Sequence, residues 1–438
     1  MAGSNMASIK KDQNRKPLKI KIRKQIVNRH SYNRLHGCLL PLDFKRLAGK
    51  KIIVVILNIE RVIPVKNKYS VIVVGAGSVG MAAGYYLGKQ GVDTLLIDAY
   101  DPPHHHGSHH GETRLIRHAS GEGVEYVPLV LRAQELWSEL EKEVNRKLFY
   151  PTGTLMVGEE TAPFIQSTIS VAQQCSLPLE KLTAADIKSR WPAFSIPDEF
   201  TGYFEPTSGA LLSQEIIQAY KQLCVKHNVD MQFNTAVTSI QPLEEGVIVK
   251  TNERTYFADK IVVSAGAWTG KLLKELDLPL QVVRKTFGWF DSKNITFQAS
   301  NAPCFYFGYE NQKYYGFPDM NGNGIKVGRN DSEKEVEPDN MEQDFGKYKS
   351  DAGDLKRFID RFIPNTTFKE GKACMITKTP DKNFILDSHP NYNHVVIAGG
   401  FSGHGFKYSS VIGEIVSQLI QNGTTTHDIT PFTIKRNF

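Results

Sequence analysis

Gly75, Gly77 and Gly80 stand at G-x-G-x-x-G spacing, and an acid, Asp98, follows the first of them by 23 residues. That pattern can hold a dinucleotide. The first glycine permits a tight turn, the second lets backbone amides approach a pyrophosphate, and the third allows a helix to pack closely on the preceding strand. The helix N-terminus offers its N–H groups to the phosphates, and a carboxylate at Asp98 can accept both ribose hydroxyls. An acid there disfavours a 2′-phosphate, which argues against NADP and leaves NAD or FAD. The loop HHHGSHHGETRLIRH, His104 to His118, comes next. A metal site ordinarily adds a carboxylate or thiol in suitable geometry, and a histidine run is often merely solvated, so no metal is expected. Arg114 and Arg117, three residues apart, can present guanidinium groups to a flavin edge, a carboxylate or a reduced oxygen species. The plainer alternative is that they pair with Glu112 and Glu122 at the surface.

These residues need elements to position them. The glycine turn lies between an apolar strand, Val71 to Val74, and a helix running to about Lys89, with a second strand ending at Asp98. An amphipathic helix is expected from Tyr126 to about Lys142, with Leu129, Ala133, Leu136 and Leu140 on one face. A short strand near 153–157, a helix over Pro163–Gln174 and a turn capped by Thr183 and Asp186 follow. Then come a helix (Gln214–His227) and strands over Asp230–Gln241, Val247–Thr251 and Lys260–Ala265. The segment KIVVSAGAWTGKLL resembles the second nucleotide-side strand and glycine turn of FAD-dependent oxidoreductases. Residues 279–330 alternate and are rich in aromatics, the pattern of an antiparallel sheet able to wall a substrate chamber. Phe345–Arg361 reads as a polar helix, and NHVVIAGGFSGHGFKYSSVIGEIVSQLI as strand, glycine turn and helix. The expected fold is therefore α/β. It has a discontinuous Rossmann-type FAD-binding domain (68–148, 205–278 and 371–438) and a mixed, largely antiparallel sheet substrate domain (149–204 and 279–370). NAD dehydrogenases seldom need that layout, which points to FAD.

The charge of +7 is unevenly placed: residues 1–68 hold 17 Lys/Arg against 3 Asp/Glu, and the remainder 36 against 43. The body is mildly acidic, so no nucleic-acid partner is expected and a small substrate is. The basic segment 1–67 reads as a leader outside the folded body, an expression leader or the product of a start codon placed too far upstream; its run KKIIVVILNIE could be strand or short helix. No apolar run approaches the roughly 20 residues of a membrane span. Cys38, Cys175, Cys224, Cys304 and Cys374 are odd in number and lack CxxC spacing, which fits a reducing cytoplasm better than a disulfide framework.

The strings GAGSVG, GSHHGETRLIRHASGEG, RKTFGWF, ACMITKTPDKNFILD and SGHGFKYSS, in that order, resemble the monomeric sarcosine oxidase and N-methyl-L-tryptophan oxidase family, and the likeness spans about Lys68 to Phe438. The resemblance implies oxidative demethylation of an N-methyl amino acid, N-methyl-L-tryptophan first, with O2, giving amino acid, formaldehyde and H2O2. A sarcosine or cyclic imino acid oxidase and a flavin-binding electron-transfer or regulatory protein are the alternatives. It implies a monomer and a covalent FAD, held by a thioether to Cys374. It makes Lys285 the cation that assists reaction with O2, Arg117 and Lys407 the pair that binds the substrate carboxylate, and His110 and Arg114 polar groups around the flavin. The turn Gly399 to Gly405, with Gly403 and Gly405, faces the flavin pyrimidine. Ile376 stands where better-known members have a tyrosine, and no residue is identified as a general base.

Overall fold

The computed structural model describes residues 21–26, 53–58, 66–292, 295–331 and 334–438. It divides into two units, Met1–Lys66 and Asn67–Phe438. In the first, Lys21–Ile26 pairs antiparallel with Ile53–Asn58, so the apolar run of the basic segment is a strand. Apart from Lys66 and Asn67, the rest of the expected leader lies outside the described residues. Everything below concerns the second unit.

Its first sheet is the nucleotide layer. Lys68–Val74 runs parallel to Thr94–Ile97 on one side and to Thr255–Val263 on the other, and Asp230–Gln232 adds a further parallel strand beyond Thr94–Ile97. Near its end Thr255–Val263 gains a parallel neighbour in Tyr392–Gly399, while its beginning pairs antiparallel with Val247–Thr251. Alternate side chains of the central strand enter different cores. Val71 and Val73 face the helices Ser78–Lys89, Val127–Val144, Ser213–Lys226 and Ser409–Asn422, whereas Ile72 and Val74 face a meander containing Val247, Val249 and Tyr256. A strand covered on both faces reads as a continuous apolar run, which VIVV does. The expected single strand over Asp230–Gln241 is broken after Gln232 by a turn through Asn234, whose φ is +54°, before Val237–Pro242.

The second sheet holds nine strands, among them Thr154–Gly158, Cys304–Tyr309, Gln312–Phe317, Ile325–Arg329, Gln281–Ser292 and Thr366–Lys378. Its two faces have different work. Directly paired residues share a face, and the register couples Cys374 with Lys285, Ile376 with Val283, Lys326 with Trp289, Phe317 with Lys326, and Tyr306 with Tyr315. The other face carries Phe305, Phe307, Tyr314, Ile325 and Val327, which pack on Leu355, Phe358, Ile359 and Phe362.

That packing corrects the reading of a polar helix. The helix spans Lys349–Phe362, and its buried residues recur at helical spacing, Asp351, Asp354, Leu355, Phe358, Ile359 and Phe362. The two aspartates are buried because each has an arginine: Asp351 binds Arg284 at 2.7 and 3.0 Å, and Asp354 binds Arg329 at 2.7 Å. The expected boundary at 371 also differs from the structure. Thr366–Lys378 is hydrogen-bonded along its length to Gln281–Ser292, so the strand of Cys374 belongs to the second sheet.

Candidate active site

The glycine turn follows from backbone crowding at two of its three positions. Gly75 has φ +93°, and a Cβ there would overlap the Ser264 carbonyl; a Cβ on Gly80 would overlap the carbonyl oxygen of Gly75. Gly77 is different. Its φ of −68° suits any residue, and the nearest atom to a Cβ placed there is His109 Nδ1 at 3.8 Å. The protein itself does not require glycine at 77, whereas a ligand lying against that backbone does. Gly77 is also the N-cap of Ser78–Lys89, with no capping side chain and no acid in the first turn, which suits a phosphate.

Asp98 ends the neighbouring strand beside this turn. One carboxylate oxygen accepts from the Ala76 N–H at 2.6 Å and the other from the Tyr100 N–H at 2.9 Å, with His104 Nε2 at 3.5 Å. The acid thus braces the glycine turn as well as standing where a ribose would lie, and each oxygen keeps a second lone pair. Ser264, from KIVVSAG, donates to the Val74 and Gly75 carbonyls and ties the third parallel strand to the turn.

The histidine loop divides between two locations. His104, His106 and His109 gather around the Asp98 end: His106 stacks on Tyr100 at 3.8 Å, and His109 lies against Gly77. His110 meets Phe287 edge-on at 5.8 Å, on the second sheet. Burial, then Arg114 and Lys372, push the His110 imidazole down to about 3, so it is neutral near pH 7. Among the described residues no group of three His, Cys, Asp or Glu side chains is arranged to hold a metal.

The Arg114 guanidinium binds the carbonyls of Thr113 and Ser108, each at 2.6 Å, and that of His110, so three of its five N–H donors fasten the loop. Its charge still reaches the second sheet. Burial raises the Cys374 thiol above its ordinary value, while Arg114, Lys326 and Lys285 oppose that rise. Ser108 links the same loop to the cysteine strand by donating to the Met375 carbonyl at 2.7 Å.

Arg117 and Lys407 meet different fates. Arg117 is 9% exposed, stacks over Tyr306 at 4.6 Å and contacts Met156 Sδ at 3.3 Å, and no carboxylate among the described residues lies within ion-pair distance. Lys407 is equally buried but has a partner, Glu122, at 2.7 Å. Glu122 also accepts from Ser120 Oγ at 2.7 Å and Tyr408 OH at 3.0 Å. Burial opposes the Glu122 charge, but Lys407, His404 and Arg117 outweigh it and hold the carboxyl below its usual range. Neither arginine takes the surface pairing with Glu112 and Glu122 that the sequence left open.

Lys285 lies across from Cys374 and donates to the Asn330 carbonyl at 2.8 Å. The sequence reading missed Lys326. It is fully buried on the same sheet face, bound to the Gly111 and Thr113 carbonyls and set over Phe287 at 4.7 Å and Phe317 at 5.1 Å. Burial drives its pKa well below the ordinary lysine value. A lysine is rarely this buried unless it is paired, and only the strand register brings Lys326 onto the Cys374 face. Gly403, at φ +90°, abuts this face, since a Cβ there would lie 2.9 Å from Ile376 Cδ1. Gly405 opens the short helical turn that leads into Ser409–Asn422.

The chain as a whole agrees with these local features. Residues 70–419 match the model of the FAD dependent oxidoreductase family. A monomeric sarcosine oxidase of Bacillus sp. (strain NS-129) is 47% identical over 376 residues, which cover 84% of this chain and 97% of that protein. An N-methyl-L-tryptophan oxidase of Yersinia pestis (strain Pestoides F) is 39% identical over 370 residues, 84% and 99% of the two chains. Among solved structures, the open form of NikD, an unusual amino acid oxidase, has the same fold with a TM-score of 0.76 at 22% identity, covering 84% of this chain and 98% of its own. The glycine cradle, the acid beside it and the cation-rich sheet face fit FAD, and this chain belongs to the FAD-dependent oxidoreductase family that includes the monomeric sarcosine oxidases and the N-methyl-L-tryptophan oxidases.

Proposed function

We propose that the protein oxidises the N-methyl group of a small N-methyl amino acid with O2, and that water hydrolyses the resulting imine, releasing amino acid, formaldehyde and H2O2. The observation that carries this reading is Arg117, a nearly buried guanidinium whose neighbours are a thioether and an aromatic ring. A desolvated cation without an acidic partner is costly to fold, and an anionic substrate group satisfies it through charge-assisted bonds. Lys407 has three donors, of which Glu122 and Ser120 take two, leaving one for the same carboxylate. Two cations on one carboxylate fix the amine end of the substrate at a set distance and orientation.

FAD, when bound, supplies the two-electron oxidation of the C–N unit. Gly75, Gly77, Gly80 and Asp98 would hold its ADP portion, Gly403 and Gly405 its ring end, and Cys374 a covalent link. A fixed cation on the Cys374 face stabilises the negative charge that develops as O2 is reduced. Both Lys285 and Lys326 lie there; Lys285, across from Cys374, takes that role, because burial drives Lys326 toward its neutral form.

Sarcosine replaces N-methyl-L-tryptophan as the first candidate substrate, supported by 47% against 39% identity. The indole reading keeps the support of Tyr306, Tyr315 and Phe317 on the site face. A panel of sarcosine, N-methyl-L-tryptophan and pipecolate, assayed for peroxide and formaldehyde, separates them. Peroxide from none of them would overturn the oxidase reading in favour of a flavin-binding protein without oxidase activity. Acid precipitation tests Cys374: yellow colour is expected in the pellet, and colour released to the supernatant would remove the thioether.

A further inference from the structure

We infer that the imidazole of His109 is a hydrogen-bond donor to the pyrophosphate of FAD, using its Nδ1–H. The inference rests on the membership of this chain in the FAD-dependent family and assigns a task to a residue that neither the glycine motif nor the carboxylate clamp accounts for.

Four observations fix the tautomer and its aim. His109 is 97% buried, since 3% of its surface is exposed. Its Nε2 accepts from the His104 backbone N–H at 3.1 Å. Burial, assisted by His104, Arg114 and His110, holds its pKa well below the ordinary value, so the ring carries one proton. A neutral ring that accepts at Nε2 carries that proton on Nδ1. No described group accepts from Nδ1, and this atom is the nearest to a Cβ built on Gly77, at 3.8 Å. The donor atom therefore lies beside the glycine turn, next to the space that the second glycine of the motif leaves open.

The surroundings are shaped to hold the ring there. A Cβ on Gly107 would lie 2.8 Å from His109 Nδ1, so the loop crosses the ring with a glycine. Ser213 Oγ donates to the His109 carbonyl at 3.1 Å, and the His104 ring packs against it edge-on at 4.7 Å. A phosphate oxygen lying against Gly77 would accept from this N–H, a hydrogen bond to a charged group. The helix N-terminus and the imidazole would then both donate to the diphosphate. Ser108, the preceding residue, bonds to the Cys374 strand, so two successive residues reach both ends of the dinucleotide site.

The test uses the full chain carrying Cys374→Ala, so that flavin binding is reversible, and compares His109→Phe, which keeps a ring without a donor, with His109→Asn, whose amide N–H can stand in for Nδ1–H. Dissociation constants are measured by flavin fluorescence for FAD and for riboflavin, which lacks phosphate. His109→Phe should weaken FAD by about 10- to 100-fold, the loss of one hydrogen bond to a charged group, and leave riboflavin unchanged; His109→Asn should restore FAD to within a few-fold. Unchanged FAD affinity in His109→Phe, or equal losses for FAD and riboflavin, would overturn the proposal. Failure of the Cys374→Ala parent to bind FAD at all would overturn the cofactor reading along with it.

Discussion

Glu122→Gln is the perturbation that most directly interrogates the carboxylate clamp. In the native protein Glu122 lies 2.7 Å from Lys407, and both side chains are largely withdrawn from water, Lys407 at 5% and Glu122 at 20% exposure. Burial lowers the Lys407 pKa and Glu122 opposes that fall. Replacing the carboxylate by an amide keeps an acceptor but removes the charge. Breaking a buried pair in this way costs about 3–5 kcal/mol, with the lower end expected where one partner touches solvent. The Lys407 ammonium then gives up its proton at a lower pH than in the wild type. Two opposed effects follow for an amino acid substrate. Where Lys407 is still charged, loss of Glu122 lifts a repulsion on the substrate carboxylate and KM falls or is unchanged. Where Lys407 is neutral, a charge-assisted bond of about 1.5–3 kcal/mol is lost and KM rises by about 10- to 100-fold. The assay is the initial rate of peroxide formation with sarcosine from about pH 6.5 to about pH 9.5, a range above the titration of ordinary carboxylates and below that of free lysine. The variant-to-wild-type ratio of KM cancels the titration of the substrate amine, and it should climb with pH. A ratio that stays constant across the range would refute the assignment of Lys407 to the substrate carboxylate. The stability effect has its own sign. The Glu122 carboxyl is held below its ordinary 4.5, so its contribution is complete above that pH and disappears as the pH falls through the folded value. The stability gap between wild type and variant should therefore close in acid.

Three further outcomes are expected. Gly77→Ala should leave the apoprotein within about 0.5 kcal/mol of wild type yet weaken FAD retention, whereas Gly80→Ala should cost about 1–3 kcal/mol through overpacking on the Gly75 carbonyl; denaturant melts of the two apoproteins in the reverse order would refute the division of roles. Lys285→Met should slow reoxidation by O2 by about 100-fold in stopped flow while anaerobic reduction by substrate persists, and Lys326→Met should have the smaller effect; equal losses would contradict the choice of Lys285. Asp351→Leu should destabilise by about 3–5 kcal/mol by stranding Arg284, and Arg284→Met in the same chain should recover most of it, as read by urea midpoints; a double variant no better than the single would show that the pair is not the source.

What the sequence disclosed depended on whether a residue's reason lay in its own neighbourhood. Gly75 and Gly80 crowd backbone atoms within the turn and the strand beside it, and Thr183 and Asp186 form their capping box within four residues, so both were legible as local patterns. The helix over Lys349–Phe362 was read as polar because two of its buried positions are aspartates, and their arginines sit on other strands, Arg284 and Arg329. Glu122 enters the sequence reading only through the plainer alternative, as a surface partner for the nearby arginines, because its true partner, Lys407, comes 285 residues later. The two lysines of the Cys374 face make the same point. In sequence, Lys285 has a motif around it and Lys326 is one lysine in GIKVGR. Register alone sets Lys326 beside Trp289 and Lys285 beside Cys374, turning both toward one face. Burial then separates them, because it drives the Lys326 pKa well below the ordinary lysine value, toward an amine that is no fixed cation. A cation's position in the chain says little about its use; the strand opposite and the depth of burial decide it, and both are properties of the folded sheet.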